Sequence, residues 1–204
     1  MNHKNCVRLG AAIALALAAA GAHAASFPAA GTGPIPDGGP ACGAPGAPLN
    51  ATFAVSGITG NVSSIGIRMN LFHSWSGDLR ATLSAPGGSP SAIIFANRGA
   101  ATATACGSAS DFDGNYDFDD IGAANFFTVA TNPVPAGRYQ ATAPLTGATI
   151  NLNALFGPLT AAQANGTWTL SITDGGAADV GALNAATLFL QESTPVELQS
   201  FSVD

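Results

Sequence analysis

Residues 62–84 constrain the fold more than any other stretch of the chain. From Val62 to Phe72, Ile65, Ile67, Met69 and Leu71 fall at alternate positions, with Arg68 and Asn70 between them. A two-residue period puts one set of side chains on each face of an extended backbone, so this is a half-buried β-strand. A tight polar loop, Ser74 to Asp78, follows. A second alternation then begins at once, with Leu79, Ala81 and Leu83 on one face and Arg80, Thr82 and Ser84 on the other. Pro86, Gly87 and Gly88 stop it, because proline has no N–H to donate and glycine opens turn conformations. Two strands therefore share a core across one short loop.

The same stretch carries a recognisable pattern: an alternating strand, His73, four residues, Asp78-Leu79, a second strand, then Ser84, Ala85, Pro86 and Gly87. A second block reads Gly166, Trp168, Leu170, Ile172 and Asp174, then Asp179, Gly181 and Leu183, with a last strand over Thr187 to Leu190. Together they resemble the P domain, or P/Homo B domain, which follows the catalytic domain of kexin-like and furin-like proprotein convertases and occurs in bacterial secreted proteins. One extra residue separates Ser84 from Pro86 relative to that pattern. The resemblance runs from about Leu49 to Gln191. It implies an all-β, jelly-roll-like two-sheet sandwich, similar to galactose-binding domains. It also implies a non-catalytic module that packs against a protease domain and supports its folding.

The first 24 residues read as a signal peptide. Lys4 and Arg8 precede an apolar run, Leu9 to Ala20, which is too short to span a bilayer, and Ala22-His23-Ala24 has the form of a cleavage site. Cleavage after Ala24 leaves about 180 residues, enough for one domain with a real core. It also leaves four arginines, no lysine and all twelve acids, so the net charge falls from −6 to −8. Such a surface repels nucleic acid and anionic lipid. The expectation is a secreted or periplasmic protein with no membrane span once the leader is removed. Its partner would be a protein, an exported protease in particular, or a glycan.

Two cysteines remain after cleavage, Cys42 and Cys106, and an exported chain with two cysteines most simply pairs them. Residues 25–48 are rich in Gly, Pro and Ala and read as an extended lead-in, stapled to the body through Cys42. Residues 49–192 form the P/Homo B domain in this reading, and 193–204 a C-terminal tail.

The run DFDGNYDFDD, 111–120, holds five of the twelve acids: Asp111, Asp113, Asp117, Asp119 and Asp120. Carboxylates that close repel one another, and a bound cation relieves the repulsion. Set against an EF-hand loop starting at Ala109, the run places Asp111, Asp113 and Asp117 at positions 3, 5 and 9 and Gly114 at 6. It lacks the first ligand and the long bidentate glutamate, and no helical periodicity flanks it. It is not an EF-hand. Two readings stay open, a calcium loop of another kind and a solvated acidic turn whose aspartates cap backbone amides.

His73 is the one histidine outside the leader. A serine hydrolase needs Asp, His and Ser brought together by geometry, yet no serine here lies in a G-x-S-x-G context. Cys106-Gly107-Ser108-Ala109-Ser110 does not match a subtilisin serine motif either. A hydrolase is accordingly the weakest reading. His73 is expected to bond within the loop ending at Asp78 and to hold two strands in register. Trp75 is expected to cover the end of the core, or else to stack on a sugar or fill a partner's pocket. Asp78, Asp174 and Asp179 border strand ends, where aspartate accepts turn amides. A cation among them requires that they converge, which spacing does not show. A carbohydrate-binding module is the second function reading, by analogy of fold.

Overall fold

The computed structural model describes residues 24–193. Residues 1–23 of the expected signal peptide and the tail from Thr194 lie outside the described residues. The strands are β1 (Ala24–Ala30), β2 (Gly33–Pro34), β3 (Leu49–Val55), β4 (Val62–His73), β5 (Leu79–Ser84), β6 (Ser91–Ala96), β7 (Phe112–Asp119), β8 (Ala124–Asn125), β9 (Gly137–Thr142), β10 (Thr149–Ile150), β11 (Gly166–Asp174) and β12 (Gly181–Glu192). Two short helices, α1 (Leu152–Phe156) and α2 (Ala161–Ala164), precede β11.

The strands form one curled sheet that folds into two facing layers, in the order β10-β9-β7-β4-β12-β1-β3-β11-β5-β6, with β2 on β12 and β8 on β9. This is an all-β sandwich, as the alternating runs predict. Most neighbours are antiparallel; β9 runs parallel to both β7 and β8. β1 is the corner. Its residues 24–28 pair with β12, and Ala29 and Ala30 pair with β3. The switch falls after Pro28, which has no N–H to extend the first ladder.

The lead-in thus supplies a structural strand. Its small residues hide the alternation: Ala25, Phe27 and Ala29 are half-buried against the core, and Phe27 alone is large. β4 and β5 do not form a hairpin. β4 lies between β7 and β12 in one layer, and β5 lies between β11 and β6 in the other. The loop 74–78 therefore crosses from layer to layer, and the inward faces of β4 and β5 meet across the core, as adjacent halves of a sandwich do.

The core is continuous. Ile65, Ile67, Met69 and Leu71 of β4 face Leu79, Ala81 and Leu83 of β5 and Trp168, Leu170 and Ile172 of β11, all buried. Phe95 on β6 sits 5.5 Å, centroid to centroid, from both Phe112 and Phe118 on β7. Trp168 packs against Phe156 of α1, and its indole N–H donates to the Ala164 carbonyl at 2.8 Å. That bond satisfies the polar edge of a fully buried aromatic.

The acidic run is not a turn. Residues 112–119 are β7, paired with β4 along their length. Phe112, Tyr116 and Phe118 point into the core, and Asp113, Asp117 and Asp119 fall on the outer face. The sequence hid this because the acids mask an ordinary inward alternation of aromatics.

Candidate functional site

β4 and β11 end side by side at the same pole of the sandwich, and their last residues are His73 and Asp174. Both are buried. His73 Nε2 lies 2.9 Å from Asp174 Oδ2. His73 Nδ1 lies against the main chain of Trp75, 2.9 Å from its carbonyl and 3.1 Å from its amide nitrogen. Asp174 Oδ1 accepts the Gly176 amide at 2.9 Å. Gly181, directly opposite His73 in the ladder, leaves room for the ring; a side chain there would collide with it. One contact thus ties the last residue of a strand in one layer to the last residue of a strand in the other. The expected bonding within the loop is joined by a contact outside it. His73 does contact Trp75, but its carboxylate partner lies 101 residues away.

Asp78 closes the crossing loop. Its side chain is buried, with 5% exposure for the residue, and its main-chain carbonyl accepts the Gly175 amide at 2.9 Å. Its carboxylate occupies the space that a Cβ on Gly176 would fill. Its Oδ1 has no hydrogen-bond donor among the described residues. Asp179 stands beside it, with Oδ1 accepting from the Ser74 hydroxyl at 3.0 Å. Burial, reinforced by repulsion from Asp174 and Asp179, pushes the Asp78 carboxyl up to about 6. A hollow of about 170 Å³ opens between Asp78, Asp179, Trp75 and the disulfide. The three aspartates that spacing alone left unplaced therefore gather at one pole.

Cys42 and Cys106 are bonded, with Cα atoms 4.9 Å apart. The bond pins the lead-in beside the site. There Gly38 N–H donates to the Gly176 carbonyl and Gly46 N–H to the Asp174 carbonyl, both at 2.8 Å. Trp75 is half-buried, and its indole N–H donates to the Cys106 carbonyl at 2.6 Å. It lines the hollow beside Asp78 and the disulfide.

Arg98 went unnoticed in the sequence. It is almost wholly buried, and burial holds its guanidinium below the usual arginine range. No carboxylate accepts from it among the described residues. Nε donates to Ser76 Oγ at 2.9 Å, Nη2 to Ser108 Oγ at 2.7 Å, and Nη1 to the Val129 carbonyl. It stitches the crossing loop to the segment around Cys106. The available signal was an arginine two residues after the apolar run Ile93–Ala96, upstream of the serines at 108 and 110.

The acids of the 111–120 run do not join this site. Asp117 pairs with Arg68 through two bonds of 2.6 and 2.8 Å, and Asp119 with Arg138 at 2.7 Å. Asp120 caps α1, accepting the Leu152 and Asn153 amides at 2.7 Å each. The Asp111 amide donates to Asn132 Oδ1, and the Asp113 amide donates to the Tyr116 hydroxyl oxygen. Among the described residues, no three of these five carboxylates come within 4.8 Å of one another. Alternation along a strand separates same-face side chains by two residues, and arginines and amides take up most of the charge.

Fold and site together define an all-β sandwich closed at one pole by an interlayer His–Asp contact, a disulfide and a knot of carboxylates. No family model and no curated protein matches the chain.

Proposed function

We propose that this chain is an exported, non-catalytic P/Homo B module that binds and supports a partner protein, an exported serine protease being the class its resemblance implies. The observation that supports this reading is the meeting of the two blocks that resemble the P-domain pattern. His73 and Asp78 come from the first and Asp174 and Asp179 from the second, and they converge at one pole, with His73 Nε2 on Asp174. A pattern whose halves lie about a hundred residues apart is explained if its polar members exist to join the layers. Both nitrogens of His73 are engaged, Nε2 in that joint and Nδ1 with the main chain of Trp75, which supports a role in holding the fold.

The Cys42–Cys106 bond favours an oxidising compartment. Among the described residues, no helix is long and apolar enough to cross a membrane. The engagement of the Trp75 indole N–H with Cys106 makes it a poorer sugar platform than a free tryptophan.

The test mixes the mature chain with the exported fraction of its own source cells. Serine proteases there are tagged with a fluorophosphonate probe. The expected result is a tagged protease that co-elutes with the chain and loses activity several-fold more slowly on warming when the chain is present. Unchanged protease inactivation overturns the proposal. So does glycan-array binding that Trp75→Ala abolishes, which would make the chain a carbohydrate-binding module.

A further inference from the structure

Beyond any partner role, the polar pole raises a charge problem that its own residues do not solve. Burial, with repulsion from Asp174 and Asp179, raises the Asp78 carboxyl; Asp179 is within hydrogen-bonding reach of it, and His73 is the one basic group acting on it. Arg98 is committed to Ser76, Ser108 and Val129. Arg68 and Arg138 are paired on the outer face of β4 and β9. The Gly176 and Gly175 amides serve Asp174 and the Asp78 carbonyl, not the Asp78 carboxylate. Asp78 lines the hollow, and its buried Oδ1 has no donor among the described residues. An unpartnered buried carboxylate oxygen is costly, and natural structures rarely leave one without an ion, a proton or a water.

We infer that the hollow between Asp78 and Asp179 is a binding site for a hard divalent cation, calcium by preference. The Asp78 and Asp179 carboxylates supply the protein's charged ligands, and water fills positions on the open side. Several features favour calcium. The charged donors are all oxygens, and the nearby sulfurs of Cys42 and Cys106 are bonded to each other and so not available as thiolates. Calcium accepts irregular geometry with several waters, whereas magnesium demands a near-ideal octahedron. Asp179 lies between the exposed residues Ala178 and Val180, so an ion has a way in. Two carboxylates and an open side place the affinity in the weak class typical of extracellular modules, about 10⁻⁴–10⁻³ M.

Trp75 lines the same hollow and supplies the readout. Terbium, a hard trivalent stand-in for calcium, luminesces when an excited indole lies close to it. The mature protein, titrated with terbium at neutral pH and excited at the tryptophan band, is expected to show sensitised emission that calcium displaces. Calcium is also expected to raise the thermal midpoint above that in a chelator. Asp179→Asn removes both effects. Because Asp179 sits on the rim of the site, that variant keeps its fold even where Asp78→Asn does not. Trp75→Phe abolishes the emission and leaves the calcium-dependent midpoint shift. Asp117→Asn, on the outer face of β7, changes neither. Equal midpoints in calcium and chelator overturn the inference, as does emission that survives Asp179→Asn. Emission lost with Asp117→Asn would put the ion on the β7 face and overturn it equally.

Discussion

His73→Ala is expected to lower the stability of the folded protein by about 3–5 kcal/mol, the usual cost of stripping one partner from a buried pair. The ring spans the joint between the layers, and its loss leaves the Asp174 carboxylate buried with the Gly176 amide as its remaining side-chain contact. That stranded charge then faces Asp78 and Asp179 without the imidazole beside it. The variant also opens a void next to Gly181, which has no side chain to fill it. Asp174→Asn is the contrasting change. It keeps an oxygen for the ring and removes one negative charge from the cluster, so it is expected to cost only about 1 kcal/mol, the net worth of one hydrogen bond. Denaturant unfolding of the three proteins checks the order: wild type, then Asp174→Asn, then His73→Ala well below.

The second large effect is expected from the disulfide. Cys42 and Cys106 are 64 residues apart, and closing a loop of that length restricts the unfolded chain by about 4 kcal/mol. In a domain of this size that corresponds to a fall of roughly 8–16 °C in the thermal midpoint when the bond is reduced or both cysteines become serine. The loss has a local signature. The Cys106 carbonyl holds the Trp75 indole, whereas Trp168 is fully buried and bonded to Ala164. Reduction is therefore expected to red-shift the Trp75 component of the fluorescence below the unfolding transition and to leave Trp168 unchanged. Trp75→Phe removes the shift. A midpoint that does not respond to reductant would mean that the lead-in is held by its backbone bonds to Gly176 and Asp174 alone.

The strands with large side chains at every second position were legible. β4, β5 and β11 are read directly from Ile65–Leu71, Leu79–Leu83 and Trp168–Ile172, and their inward faces are those predicted. β1 was not legible. Alanine buries too little area to mark a face, and the strand is fixed by pairing with β12 and β3, which local propensity does not encode. β7 was obscured by its own charges.

At the site, the members were legible one by one as His73, Trp75, Asp78, Asp174 and Asp179. Their union was not, because it depends on β4 and β11 ending at the same pole of opposite layers. Arg98 illustrates the limit. A buried cation satisfied by hydroxyls and a carbonyl leaves no pairing of opposite charges in the sequence to find.

His73 and Asp174 couple two distant blocks of the chain. A double-mutant cycle over His73→Ala and Asp174→Ala, read by denaturant unfolding, measures that coupling directly. Removing the carboxylate as well as the ring abolishes the stranded charge, so the double variant is expected to be more stable than the sum of the single losses allows, by about 2 kcal/mol. Losses that add to within about 0.5 kcal/mol would show two independent residues, and the joint between the layers would have to lie elsewhere.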